Sequence, residues 1–153
     1  MAASDERTRR LGGSRRAPSP EGDLIRRSAG VGPRPGAPDE DWTPHEVDWP
    51  RLIELATGHG VLALVARDLK HRGWDGVPAD VVATLVGYRT MLTARNLSLT
   101  RQLLEILELL GNRRITALPY KGPLLAAYAY GDVWMRPFGD LDLILSERDV
   151  LPA

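Results

Sequence analysis

Asp140-Leu141-Asp142-Leu143-Ile144-Leu145, between Gly139 and Ser146, opens with two acids at i and i+2 and continues in aliphatic residues, the mark of a short strand. On such a strand Leu141, Leu143 and Leu145 point to one face and Asp140, Asp142 and Ile144 to the other. Upstream, Ile115-Thr116-Ala117-Leu118-Pro119-Tyr120 is short, partly β-branched and bounded by Arg113-Arg114 and Gly122. It predicts a second strand, whose end Pro119 demotes to an edge or exit. A short helix from Pro123 to about Tyr130 lies between the two, followed by the turn Gly131-Asp132. Ser146-Glu147-Arg148-Asp149 reads as the cap and first turn of a further helix, with acids suited to its N-terminus.

Before residue 115 the period is helical. Val81, Leu85, Tyr88, Leu92, Leu99, Leu103, Ile106 and Leu110 step by 4, 3, 4, 7, 4, 3 and 4, one stripe running through Pro78–Leu110. Gly87 is a candidate kink, and Gly111-Asn112 ends the helix. The skipped turn carries Arg95 and Asn96, which either reach toward a site or mark where the helix leaves the core. Two shorter helices come first. One starts at Asp48-Trp49-Pro50, with Asp48 as N-cap and proline in the first turn, and ends at Gly58-His59-Gly60; the next runs from Val61 to about Lys70. Helices followed by short strands make the expected fold class α+β. Residues 1–40 hold 6 Gly, 5 Pro and 14 charged residues, too little apolar surface to offset ordering entropy, so they predict a disordered Arg/Pro/Gly-rich tail ahead of a folded region over 41–153.

A length of 153 residues suits one domain with a real core. The 20 Lys+Arg balance the 20 Asp+Glu, so there is no strong nucleic-acid signal, because binding phosphates by charge alone needs a basic excess. The absence of cysteine excludes disulfide scaffolds, thiolate metal sites and thiol nucleophiles. The apolar run Val61–Ala66 falls far short of the roughly 20 residues of a membrane span. Arg9-Arg10 and Arg15-Arg16 lack the apolar stretch of a signal peptide. The chain reads as cytoplasmic, with no membrane partner. His45, His59 and His71, separated by 14 and 12 residues, match no local metal-ligand spacing.

Two carboxylates on one strand face repel each other, and a divalent cation resolves the conflict. Mg²⁺ (or Mn²⁺) takes one or two carboxylates and completes its shell with water and substrate phosphates, which makes Asp140 and Asp142 candidate metal ligands. At Tyr120-Lys121-Gly122-Pro123 a strand passes into a helix. Glycine there lets backbone N–H groups approach an anion, and Lys121 adds a mobile charge. The same residues also suit a plain turn. In Trp134-Met135-Arg136-Pro137-Phe138-Gly139, Arg136 can clamp a phosphate or pair with Asp132 or Asp140 to tie down the loop, and Gly139 directly precedes the first aspartate.

Taken together, Lys121-Gly122-Pro123-Leu124-Leu125, Tyr130-Gly131-Asp132 and Arg136-Pro137-Phe138-Gly139-Asp140-Leu141-Asp142-Leu143-Ile144 resemble the signature of a little-characterised bacterial nucleotidyltransferase family of the DNA polymerase β-like superfamily. The resemblance covers about residues 115–146. It implies a helical N-terminal part followed by the first strands of a nucleotidyltransferase fold, with Asp140 and Asp142 on catalytic Mg²⁺ and Lys121, Gly122, Arg136 and Gly139 near the nucleotide phosphates. The implied partners are a nucleoside triphosphate and a hydroxyl acceptor of unknown kind. Two departures stand out: the superfamily usually carries Gly-Ser or Gly-Gly where this chain has Lys121-Gly122, and a third carboxylate on a later strand than any read here. The domain is therefore expected to be incomplete, with Glu147 and Asp149 the nearest stand-ins, and its exposed strand edge invites self-association. The alternative is a catalytically inert fragment or pseudoenzyme acting as an interaction module through its long apolar helix. In metal-dependent glycosyltransferases, which also use Asp-x-Asp, the motif normally ends a strand; here it opens one.

Overall fold

The computed structural model describes residues 19–30 and 43–151. Among the described residues, five helices and one two-stranded antiparallel sheet make the fold α+β. In chain order these are α1 (Pro20–Ser28), α2 (Trp49–Gly58), α3 (Leu62–His71), α4 (Ala79–Asn112), β1 (Ala117–Tyr120), α5 (Gly122–Tyr130) and β2 (Asp142–Leu145). Short 3₁₀ turns lie at Pro44–Glu46, Val133–Met135 and Glu147–Asp149.

Local signals start the helices. The Asp48 side chain accepts the Arg51 N–H at 3.1 Å, and Pro50 occupies the first turn of α2, where its missing N–H removes no helical bond. α3 is buried along most of its length, from Leu62 to Ala66 and at Asp68 and Leu69. It packs against α1, α2 and α4, so the core gathers Leu24, Leu52, Ala56, Val65, Leu69, Leu85 and Leu92, with Trp134 and Met135 closing one side. The 34 residues of α4 form one helix with Gly87 inside it, about 51 Å long at 1.5 Å per residue. Val81, Leu85 and Leu92 in its first half join the helical core, and the helix also contacts β1 and α5. Arg114 closes it with φ +60, a left-handed conformation normally given to glycine, as Ile115 N–H bonds the Leu110 carbonyl at 3.0 Å.

The expectation of a disordered tail over 1–40 needs correction where it meets α1; residues 1–18 and 31–42 lie outside the described residues. Ser19 caps the helix by accepting the Gly22 N–H at 3.2 Å, Glu21 and Asp23 stand in the first turn, and Arg26 and Arg27 in the last. Composition averaged over forty residues hides this segment, whose Leu24 is fully buried, a burial that contributes roughly 1.5–3 kcal/mol. Polar ties complete the docking. Asp48 N–H donates to Glu21 Oε1 at 3.0 Å, and Ser28 Oγ donates to the buried Asp68 at 3.4 Å. The Asp48 bond holds the Glu21 carboxyl below its ordinary value.

The sheet pairs Ala117 with Leu145, Leu118 with Ile144, Pro119 with Leu143 and Tyr120 with Asp142. The strand expected over Asp140–Leu145 thus starts two residues later. After Tyr120 the chain turns into α5, so Asp140 and Leu141 have no β1 residue to pair with. The expected alternation holds: Leu141, Leu143 and Leu145 are half-buried, and Asp140, Asp142 and Ile144 exposed. The helix expected from Ser146 is a single 3₁₀ turn, and Ser146 makes no capping bond. Large apolar side chains also face outward, among them Leu97, Leu104 and Leu109 on α4 and Leu118 and Ile144 on the sheet.

Candidate active site

β1 passes into α5 through two residues of positive φ, Lys121 at +59 and Gly122 at +46. For lysine this region costs on the order of 1–3 kcal/mol. At Gly122 there is space for a side chain, since a Cβ would meet the Asp140 carbonyl oxygen at an ordinary 3.6 Å; the positive φ is what calls for glycine. The same measurement puts the start of α5 directly against the main chain of the first aspartate. No side chain caps α5, and Pro123 has no N–H to offer. An uncapped helix start of this kind presents the remaining first-turn N–H groups to an anion.

Lys121 and Arg136 line one cleft of about 560 Å³, together with Pro119, Tyr120, Leu124, Leu125 and Tyr128. Lys121 Nζ lies 5.0 Å from the centre of the Tyr120 ring. Arg136 Nη1 is buried and has no hydrogen-bond partner. Among the described residues no ion pair joins Arg136 to Asp132 or Asp140, so the reading of Arg136 as a tie for its own loop finds no support. Asp132 instead accepts the Trp134 N–H at 3.3 Å. Asp140 and Asp142 do not line the cleft; Asp142 pairs across the sheet with Tyr120, which does, and the Asp140 carbonyl oxygen lies against Gly122, the residue after Lys121.

The loop bearing Arg136 is held from beneath by Asn96, which the sequence left undecided. Asn96 is fully buried, and its Nδ2 donates to the carbonyls of Val133 and, at 3.0 Å, of Arg136. Its neighbour Arg95 brings a guanidinium nitrogen to 3.1 Å from where a Cβ on Gly139 would lie, so Gly139 leaves room for Arg95. The signal was present in the stripe: Asn96 stands four residues after Leu92 and three before Leu99, a core position occupied by an amide. His45, His59 and His71 are exposed. Among the described residues no three acidic or histidine side chains gather as a metal cluster. Nor is any helix among them long and apolar enough to cross a membrane.

Residues 45–153 match the sequence model of a family described as an uncharacterised nucleotidyltransferase. The chain belongs to that family. The match spans α2 through β2 and includes every candidate site residue, while α1 lies outside it. Nucleotidyl transfer is the activity class that goes with the family, and a nucleotide the corresponding substrate. No curated protein and no solved structure matches the chain.

Proposed function

We propose that the protein transfers a nucleoside monophosphate from a nucleoside triphosphate to a hydroxyl acceptor in a Mg²⁺-dependent reaction. The observation that carries the proposal is the juxtaposition at the β1–α5 turn: Lys121 and Arg136 put two cations in one cleft, and Gly122, the residue after Lys121, abuts the main chain of Asp140. The lining suits the substrate. Tyr120, Leu124, Leu125 and Tyr128 offer apolar and aromatic surface for a base, and Lys121 and Arg136 offer charge for phosphates.

Asp140 and Asp142 fit Mg²⁺ by donor chemistry, being two exposed hard-oxygen ligands on one side of the chain, the number this ion takes when phosphates and water complete its shell. When bound, the ion supplies charge neutralisation at the phosphates and lowers the pKa of a coordinated hydroxyl. The acceptor oxygen attacks the α-phosphorus, the bond to the β-phosphate oxygen breaks, pyrophosphate leaves and the hydroxyl proton passes to solvent. The chain contributes by positioning and electrostatics. Arg136, its Nη1 unpartnered, reaches the phosphates as a planar donor, Lys121 as a point charge, and the α5 N–H groups as fixed dipoles. Gly139, the residue that precedes Asp140, has no side chain and leaves room there for the Arg95 guanidinium.

The test is titration calorimetry of Mg²⁺ or Mn²⁺ with ATP on the full chain and on Asp142→Asn, alongside transfer of label from an α-³²P nucleoside triphosphate to a panel of acceptors. The expected result is metal-dependent nucleotide binding that Asp142→Asn weakens at least tenfold. Equal metal and nucleotide affinity in both proteins would overturn the site.

A further inference from the structure

On the other side of the Val133–Met135 turn lies a second concavity, of about 250 Å³, that the proposed reaction does not use. α3 contributes Arg67, Lys70 and His71 to its wall, α4 contributes Arg89, and the loop after α5 contributes Asp132 and Trp134. Its charge is predominantly positive, three permanent cations against the single carboxylate of Asp132. Among the described residues no ion pair engages Arg67, Lys70 or Arg89, and the one carboxylate in the lining, Asp132, accepts the Trp134 N–H. Arg89 lies over the Trp134 ring, its guanidinium carbon 4.8 Å from the ring centre. Arg67 gives one N–H to the Ser28 carbonyl at 3.4 Å, which leaves most of its five donors unspent.

Three permanent cations converging on a small hollow repel one another, and an anion of more than one charge relieves that repulsion. The volume is below the roughly 300 Å³ at which whole drug-sized ligands are enclosed, so the hollow takes an anionic group rather than a second nucleotide. Next to it, sharing Lys70, Arg89 and Trp134, is a recess of about 140 Å³ walled by Trp74, Leu85 and Val86. Its apolar lining suits a carbon skeleton attached to the anion. The geometry points to a second binding site, for an organic phosphate monoester, whose phosphate is held by Arg67, Lys70 and Arg89 and whose apolar body enters the recess. As the anchor of the acceptor in nucleotidyl transfer it rests on the preceding proposal; as a binding site it does not.

The experiment is titration calorimetry of the full chain with phenyl phosphate, inorganic phosphate and phenol, each with and without saturating ATP and Mg²⁺. Phenyl phosphate binds more tightly than inorganic phosphate, phenol does not bind detectably, and rising salt weakens both phosphates. Lys70 is exposed, and removing one charge-assisted contact through Lys70→Ala weakens phenyl phosphate about tenfold or more. Lys70→Gln, which keeps the length of the side chain, gives the same loss, while ATP binding is unchanged in both. Lys121→Ala leaves phenyl phosphate affinity unchanged. Equal affinity of the wild type and the Lys70 variants for phenyl phosphate overturns the site. Competition between ATP and phenyl phosphate also overturns it, because the hollow and the cleft would then be one. Absence of ATP binding with Lys70-dependent phenyl phosphate binding intact refutes the nucleotidyltransfer reading and upholds this one.

Discussion

Replacing Asn96 by leucine separates the loop that carries Arg136 from the helix beneath it. In the native chain Asn96 Nδ2 donates to two main-chain carbonyls, those of Val133 and Arg136, while its Oδ1 is buried without a partner. Losing two hydrogen bonds costs about 2 kcal/mol at about 1 kcal/mol each, and removing the unsatisfied oxygen returns about 1 kcal/mol. The net loss is about 1 kcal/mol, which lowers Tm by roughly 2–4 °C in a chain of this size. Nucleotide affinity should fall further than that stability change suggests, because Arg136 loses its fixed position. A charge-assisted contact contributes about 1.5–3 kcal/mol, so ATP binding weakens roughly 10- to 100-fold. Leu92→Ala, one helical turn earlier and 2% exposed, is the control. It costs more stability, about 2–5 kcal/mol, yet leaves the loop's two bonds in place and the affinity of the folded protein near wild type. Urea unfolding and ATP titration on both variants decide the matter. If Asn96→Leu loses stability but keeps wild-type ATP affinity, Asn96 only fills the core and the positioning argument fails.

Lys121→Ala should weaken a triphosphate at least tenfold while barely changing a nucleoside, since the lost interaction is charge–charge; equal effects on both would make Lys121 a turn residue only. Arg114→Gly should stabilise the chain by about 1 kcal/mol, because it relieves a left-handed residue at the end of α4, and a lowered urea midpoint would contradict this. The Glu21 carboxyl is held below its ordinary value of about 4.5 by the Asp48 N–H bond, so its contribution is fully present above that value and is lost as pH falls through the lower folded value. The stability gap between wild type and Glu21→Ala should therefore be constant near neutral pH and close under acid; a gap that widens under acid would reverse the sign.

What the sequence determined by itself was local. Asp48 caps α2 because a carboxylate three residues before a free N–H needs nothing else, and the order of helices then strands followed from a change of period near residue 115. The two faces of residues 140–145 were equally legible, because alternation follows from the pleat alone. Tertiary structure decided whatever depends on a distant partner. α1 docks because Leu24 and Glu21 find partners far along the sequence in α2 and α3, Asp48 being 27 residues from Glu21. β2 starts at Asp142 because β1 ends at Tyr120. Asn96 became a support for the candidate site only through carbonyls 37 and 40 residues away, and Lys121 and Arg136 share a cleft only because α5 folds back between them. Contacts of that span leave no period in the sequence, since their partners are chosen by packing and hydrogen bonding in three dimensions.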